Sequence, residues 1–152
     1  MADPVVSYFK SDDITELNSL NPEDFGEVIM GNSSAAQEIH IWNDKGGSAG
    51  SNPMYNTQIK VVTATGLDSG DTLEDGSELV TNQWVSVKSV TNDDPAYTLL
   101  GNGAVLNLGT INGNADHIIS LIEIVPSDAT PVPPNGDITF ELEVLYDLLP
   151  TS

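Results

Sequence analysis

One loop of this sequence concentrates acidic side chains, and it is the first stretch whose residue types could support chemistry. The loop LDSGDTLEDGSE carries carboxylates at Asp68, Asp71, Glu74, Asp75 and Glu78. Calcium is bound by several oxygen ligands from a bendable loop, so a calcium site is one hypothesis for this segment. The EF-hand spacing is absent, because a count from Asp71 places Leu73 third and Asn82 twelfth. The alternative is a solvated acidic loop, and no other cofactor is expected.

Two histidines are the other groups that commonly bind metals or transfer protons. His40 and His117 lie far apart in the sequence, each in a predicted strand. We expect each to be a surface or half-buried residue and not a ligand or base. The chain has no Cys nucleophile, no Gly-x-Ser-x-Gly, no phosphate-binding loop and no His-Glu-x-x-His. With 23 Asp and Glu, carboxylate pairs at glycosidase spacing would arise by chance. A non-enzymatic protein is therefore expected.

Two tryptophans could serve as binding platforms. In the predicted strand phases, Trp42 and Trp84 lie on the face opposite the aliphatic residues. An exposed tryptophan could stack on a sugar or anchor an interface. The competing interpretation places each tryptophan in the core or at its rim, with the phase shifted by one residue.

The elements that would position these groups are β-strands. Short β-branched runs recur between clusters of Gly, Asn, Asp and Pro, a pattern typical of all-β proteins. In AQEIHIWN, Ile39 and Ile41 share one face, while Glu38, His40 and Trp42 share the other. The clearest alternation runs along DITFELEVLYDLL near the end of the chain. Eight or so strands of this kind predict an antiparallel Ig-like β-sandwich, with a jelly roll as the alternative.

The predicted organisation is a single domain with short ends. Residues 1–13 form an N-terminal arm or a first strand, residues 14–147 form the sandwich, and residues 148–152 form a tail. The ends are apolar or contain proline, which suggests that something holds them. The residues expected at an interface are Tyr8, Phe9, Trp42, Leu148, Leu149 and Pro150.

The charge balance narrows the choice of partners. Four Lys+Arg against 23 Asp+Glu give a formal net charge of −19. Such a surface repels nucleic acids and anionic membranes, because phosphate binding depends on Lys and Arg. The start of the chain lacks the basic and apolar parts of a secretory signal, and no stretch resembles a membrane helix. We therefore expect a soluble protein made in the cytoplasm.

A short signature in the first third of the chain resembles known Ig-like domains. The run is similar to that of Hydin-type Ig-like domains at Phe25, Gly26, Val28, Gly31, Ser33, Ser34 and residues 39–43. The chain also resembles small Ig-like structural and decoration proteins of tailed bacteriophages, over about residues 14–146. The matching pieces are Ile41-Trp42-Asn43, Gly46-Gly47, Val125-Pro126, Ala129-Thr130 and a final aromatic strand ending at Tyr146.

This resemblance implies a virion structural protein. The expected role is that of a capsid decoration or cement protein on the virion surface, which binds the major capsid protein or another virion protein and bridges capsid subunits. A homo-oligomer, such as a trimer, is also implied. One departure is that Glu123, Glu141 and Glu143 stand where basic residues would be expected, so the partner differs or is more basic. The alternatives are a tail, neck or baseplate accessory domain and a carbohydrate-binding module.

Overall fold

The computed structural model describes residues 3–17, 31–47, 51–63, 77–127 and 140–148. Within these ranges the chain is almost entirely β, with one short helix, α1 (Ser77–Thr81). The strands in chain order are β1 (Val6–Lys10), β2 (Glu16–Leu17), β3 (Gln37–Asn43), β4 (Met54–Val62), β5 (Val85–Ser89), β6 (Thr98–Leu100), β7 (Leu106–Ile111), β8 (Asp116–Glu123) and β9 (Glu141–Asp147). None of the helical segments in these ranges has the length and apolar character needed to cross a membrane.

The described strands form two antiparallel sheets. The larger sheet has the order β2-β1-β3-β8-β5-β6, and the smaller one has the order β7-β4-β9. Side chains of both sheets meet in one hydrophobic cluster, which includes Ile41 of β3, Ile59 of β4 and Leu108 of β7. Two sheets that share one core in this way form a β-sandwich. The all-β antiparallel sandwich predicted from the sequence is therefore confirmed.

The core is made by the inward positions of alternating strands. On β3, Ile39 and Ile41 are buried as predicted, and Asn43 joins them at the end of the strand. On β9, the partly buried Leu142 and Val144 pack against the core from the smaller sheet. This period-two alternation is the pattern of a sheet with one face in the core. We call the opposite face of the larger sheet, which points away from the smaller sheet, the outer face.

The beginning of the chain is part of the larger sheet. Residues 6–10, predicted as part of an arm or a first strand, form β1, which pairs with both β2 and β3. The turn between β1 and β2 is organised by Asp12, whose carboxylate accepts hydrogen bonds from the backbone N–H groups of Ile14 and Thr15. These bonds lower the pKa of Asp12 to about 2. The next residue, Asp13, has a left-handed backbone with φ of 57°.

Trp84 belongs to the core. It immediately precedes β5, is 2% exposed and lies in the same cluster as Val85 and Val87. Leu79 and Val80 of α1 are also buried in this cluster. The interpretation of Trp84 as an exposed platform is therefore wrong. Trp84 stands before β5 begins and follows Gln83, which has a left-handed backbone with φ of 56°, so the strand alternation does not extend to it. Its burial agrees with the competing interpretation, which placed it in the core or at its rim.

Candidate functional site

The outer face of the larger sheet carries a group of polar side chains around His40. Residues that lie opposite each other in an antiparallel pair project to the same face. His40 of β3 pairs with Phe9 of β1 and with Ile118 of β8, so these two side chains flank the imidazole. The residue is only 6% exposed, although it lies on the outer face. The expectation that His40 would be a surface or half-buried residue is therefore wrong.

Carboxylates contact both ring nitrogens of His40. Nδ1 lies 2.7 Å from Oδ1 of Asp13 and 3.2 Å from Oδ2 of Asp116. Nε2 lies 3.2 Å from Oε1 of Glu38. The indole N–H of Trp42 donates to the same Asp13 oxygen at 2.8 Å. We refer to Asp13, Glu38, His40 and Asp116 as the His40 cluster.

The four residues of this cluster come from three segments of the chain. Glu38 and His40 alternate along β3, and Asp116 is the first residue of β8, where it pairs with Trp42. Asp13 comes from the β1–β2 turn, where its backbone N–H donates to the carbonyl of Lys10 at 2.9 Å. The left-handed conformation of Asp13 is one that aspartate tolerates better than most residues. The turn thereby brings its carboxylate to the sheet.

The cluster favours positive charge on the imidazole. Burial alone lowers the pKa of His40, but the hydrogen bonds to Glu38 and Asp13 and the charges of Asp13 and Asp116 outweigh burial. The net effect is a pKa above the ordinary value of 6.5. A neighbouring carboxylate stabilises the protonated ring, which is the usual cause of such a rise. The arrangement therefore favours the protonated, positively charged form of the ring.

The cluster also has the geometry of a cation ligand set. Asp13, His40 and Asp116 each offer one ligand atom, and these atoms all lie within 4.8 Å of one another. The His40 side chain is buried, whereas the Asp13 and Asp116 side chains are 38% and 30% exposed. Solvent therefore reaches the carboxylates, while the imidazole lies at the floor of the site.

An aromatic pair lies next to the His40 cluster on the outer face. The Nζ atom of Lys45 lies 5.1 Å from the ring centroid of Phe9 and 4.9 Å from that of Trp42. Both distances are within the range of a cation–π interaction. Phe9 and Trp42 are half-buried, and they come from the adjacent strands β1 and β3. We call Phe9, Trp42 and Lys45 the aromatic platform.

A second cation–π contact occurs nearer the other edge of the same face. Nζ of Lys88 lies 4.9 Å from the ring centroid of Tyr97, and the Tyr97 hydroxyl is 2.9 Å from Oγ of Ser120. Leu99 of the edge strand β6 is 50% exposed. The outer face thus presents aromatic and apolar side chains from β1 to β6.

The structure separates the residues expected at an interface. Phe9 and Trp42 lie together on the outer face, whereas Tyr8 packs against the core and donates its hydroxyl to the carbonyl of Leu142 at 3.2 Å. Burial, with the charges of Glu143 and Glu141, raises the pKa of Tyr8 above its ordinary value. Leu148 is 50% exposed, just beyond β9. The remaining two, Leu149 and Pro150, lie outside the described residues.

Most of the predicted calcium loop also lies outside the described residues. This holds for Asp68, Asp71, Glu74 and Asp75. Glu78 is in the first turn of α1. The carboxylates that the structure does bring together, Asp13 and Asp116, were missed by sequence reasoning. The sequence feature that could have pointed to this cluster is that His40 shares a strand face with Glu38 and Trp42.

His117 lies on the inner face and is also buried, with 3% exposure, contrary to expectation. Its Nε2 is 2.6 Å from Oγ of Ser89. The same Ser89 oxygen accepts a hydrogen bond from the Asn92 backbone N–H at 2.9 Å. Burial lowers the pKa of His117, although Asp116 and Asp94 act in the opposite direction. This buried pair fixes the turn after β5, and it is not reachable by a substrate.

A shallow polar pocket of about 400 Å³ lies on the smaller sheet. It is lined by Asn56, Thr57, Gln58, Asn107, Gly109 and Asp147. The strand β4 is bulged here, with Asn56 at φ of 50° and a register shift against both neighbouring strands. The Gln58 and Asn56 amides donate to Asn107 and Asp147, respectively. These bonds within the pocket occupy several of the groups that a ligand would use.

Comparison with known proteins does not place the chain in a family. No family model matches the sequence, and no curated protein matches it. A family 123 glycoside hydrolase from Clostridium perfringens is among the similar solved structures, with a TM-score of 0.46 and 18% sequence identity. The match covers 97% of this chain and 25% of that one, so the chain spans about a quarter of the hydrolase. A likeness at this level carries no argument about activity.

Proposed function

We propose that this chain is a non-catalytic structural protein of a tailed-phage particle, which docks on the outside of the capsid as a decoration protein. The observation that carries the proposal is the aromatic platform, in which Phe9 and Trp42 lie side by side under one ammonium group. Both residues had been expected at an interface on sequence grounds. Half-buried aromatic side chains of this kind are frequent anchors of protein–protein contacts.

The platform is held in place before any partner arrives. The Trp42 indole is fixed by its hydrogen bond to Asp13, and the Lys45 ammonium contacts both rings. An anchor that is already ordered loses less side-chain entropy on binding than a free one. The extension of the face to Tyr97 and Leu99 supports a broad contact surface.

The charge of the chain supports a basic partner. The net charge is −19, and three carboxylates of the His40 cluster adjoin the platform. On the late strands, Glu141 is exposed and Glu143 lies 4.0 Å from Lys60. Surfaces of opposite charge associate faster and reject wrong partners. The capsid surface that receives this protein is therefore expected to carry Lys and Arg.

A repeated capsid lattice would strengthen a weak single contact. If the chain forms a homo-oligomer such as a trimer, several aromatic platforms would engage neighbouring capsid subunits together. The second contact is then governed by effective concentration instead of bulk concentration. A tail, neck or baseplate position would use the same face at far fewer sites.

The first test is the copy number of the chain in purified particles of the encoding phage, by quantitative mass spectrometry against the major capsid protein. Hundreds of copies per particle are expected for a decoration protein. A few to a few dozen copies would place the protein in the neck, tail or baseplate. Absence from particles would reject the virion role.

The second test asks whether the aromatic platform makes the contact. Capsids lacking the chain are incubated with purified variants and sedimented. Phe9→Ala and Trp42→Ala are each expected to weaken binding roughly tenfold or more, which is the loss of about 1.4 kcal/mol typical of an anchor. Leu145→Ala is the control, because Leu145 is 38% exposed but lies on the smaller sheet. Equal binding by all three variants would reject the platform as the contact.

A carbohydrate-binding module is the second candidate function, and Trp42 is the observation that favours it. The ring is partly exposed and is surrounded by carboxylates that accept hydrogen bonds from sugar hydroxyls. Lys45 covers part of the ring, which weighs against this candidate. Binding to a glycan array that disappears in a folded Trp42→Ala variant would support it.

A further inference from the structure

We propose that Asp13, His40 and Asp116 form a binding site for a divalent transition-metal ion of the zinc class on the outer face of the larger sheet. The three ligand atoms lie within 4.8 Å of one another, and each comes from a different segment of the chain. This site is separate from the acidic loop suspected from sequence. Unlike the acidic loop, it includes an imidazole nitrogen as a ligand.

The orientation of the His40 ring favours a metal ligand. Nδ1 faces both aspartates, at 2.7 Å from Asp13 and 3.2 Å from Asp116. Nε2 faces Glu38 at 3.2 Å, so the ring can donate its hydrogen to that carboxylate and leave the Nδ1 lone pair free. Histidine ligands of metals are usually held in this way by an acceptor on the other nitrogen. Glu38 therefore belongs to the proposed site as the acceptor for Nε2, in addition to the three ligands.

The two distances from His40 Nδ1 to the aspartates suit a small ion with only modest adjustment. Zinc–nitrogen and zinc–oxygen bonds of about 2.0 to 2.2 Å place tetrahedral ligands roughly 3.3 Å apart. The contact between His40 and Asp116 already has this separation, and the one between His40 and Asp13 would widen by about 0.6 Å from its 2.7 Å. The Asp13 carboxylate is partly exposed and belongs to a turn, where such a shift is easily made.

The donor set selects among metals. One imidazole nitrogen and two carboxylates suit zinc and neighbouring transition ions, whereas calcium prefers an all-oxygen shell with more ligands. Three protein ligands leave a fourth position for water or for a group from a partner. An ion here would also join the β1–β2 turn to β3 and β8, and so stabilise the sheet beneath the aromatic platform.

The test is isothermal titration of the whole chain with Zn²⁺, in excess Mg²⁺ to suppress diffuse binding to the acidic surface. One ion per chain is expected, together with a rise of a few degrees in Tm, since a ligand that binds only the folded state stabilises it. His40→Gln and Asp116→Asn are each expected to weaken binding at least tenfold. Glu38→Met, which removes the acceptor for Nε2 but none of the three ligands, is expected to weaken it roughly 10- to 100-fold.

The matched control is Glu141→Gln, which removes one negative charge from an exposed position on the other sheet. It is expected to bind Zn²⁺ like the unaltered chain. If Asp116→Asn and Glu141→Gln bind alike, the aspartates only pair with the His40 side chain and the metal proposal is wrong. Should His40→Gln fail to fold, Asp116→Asn decides the question, because it keeps the size and shape of the side chain.

A spectroscopic measurement identifies the ligand atom. Zn²⁺ is expected to shift the ¹⁵N resonance of His40 Nδ1 and to leave that of the inner-face His117 unchanged. A shift confined to His117, or no shift at either ring, would overturn the proposal even if zinc binds elsewhere on the chain.

Discussion

The two histidines of this chain occupy neighbouring strands at the same level of one sheet, but they project to opposite faces. Ile41 pairs with His117, and the adjacent His40 pairs with Ile118. Both residues are less than 10% exposed. His40 is surrounded by carboxylates on the outer face, whereas His117 contacts the hydroxyl of Ser89 on the inner face. They therefore form an internal comparison in which both side chains are little exposed to solvent and the partners differ.

The comparison teaches that hydrogen-bonding partners can reverse the effect of burial on the charge of a histidine ring. Burial lowers the pKa of both histidines. Direct hydrogen bonds to carboxylates reverse this for His40, while the charges of Asp94 and Asp116 do not reverse it for His117. The inner histidine is thus a neutral structural residue, and the outer one is suited to hold a cation.

The largest expected difference between the faces is in packing. Ile119→Ala should lower the free energy of unfolding by about 2–5 kcal/mol, because Ile119 is fully buried on the inner face and truncation leaves a cavity. Ile118→Ala, at the next position on the outer face, should cost about 1 kcal/mol, since the side chain is only half-buried. Urea unfolding followed by tryptophan fluorescence measures both. Equal losses would mean that the outer face is covered as well as the inner one.

The next difference concerns hydroxyl groups on the two faces. Ser89→Ala should lower the free energy of unfolding by about 1–3 kcal/mol, because it leaves His117 Nε2 and the Asn92 N–H without the oxygen that both contact. Ser120→Ala is the matched control, since its side chain is also buried but its hydroxyl contacts Tyr97, which is 36% exposed and can bond to water instead. Its expected loss is below about 1 kcal/mol. A larger loss for Ser120→Ala would contradict the assignment of His117 and Ser89 to structure.

The opposite pKa shifts should appear directly in a titration. In metal-free protein with chelator, ring-proton NMR is expected to give a midpoint above 6.5 for His40 and one below 6.5 for His117. The groups facing His40 are Asp13, Glu38 and Asp116. Two midpoints below 6.5 would show that burial outweighs the carboxylates at His40. Two midpoints above 6.5 would show that the nearby charges outweigh burial at His117.

The same shifts give opposite contributions to stability. His40 stabilises the fold fully below pH 6.5, and this contribution is lost as the pH rises through its raised folded-state pKa. His117 reduces stability as the pH falls from 6.5 through its lowered pKa, because the unfolded chain then binds the proton more readily. Each pKa unit corresponds to about 1.4 kcal/mol. His40→Gln should therefore remove the component that grows toward low pH and leave the His117 component.

The sequence predicted the strands well because their pattern is local. The alternation of Ile39 and Ile41 with Glu38 and Trp42 can be seen within one run, and the core requires it. Trp84 was ambiguous because it stands just before its strand, where the alternation does not yet apply. Local patterns therefore predict the strands more reliably than the residues at their ends.

The candidate site was harder to predict because it depends on long-range pairing. Asp116 reaches His40 only because β8 lies beside β3 in one particular register. Asp13 reaches it through the left-handed conformation of a single turn residue. Neither the strand order nor that dihedral angle can be read from residue spacing. The abundance of acids added to the difficulty, since 23 carboxylates offer many equally plausible clusters.

The smallest expected effect concerns Lys45, and it separates stability from binding on the outer face. Lys45→Met should lower the free energy of unfolding by less than about 1 kcal/mol, because an exposed cation–π contact contributes roughly 0.5–1 kcal/mol. A double-mutant cycle with Trp42→Leu isolates the contact. Lys88→Met, which removes the ammonium 4.9 Å from Tyr97, is the control at the other end of the face. If the platform binds the capsid, Lys45→Met should alter that binding more than Lys88→Met, although both variants are almost equally stable. A stability loss as large as that of Ile119→Ala would instead make the platform part of the fold, and the contrast between the two faces would fail.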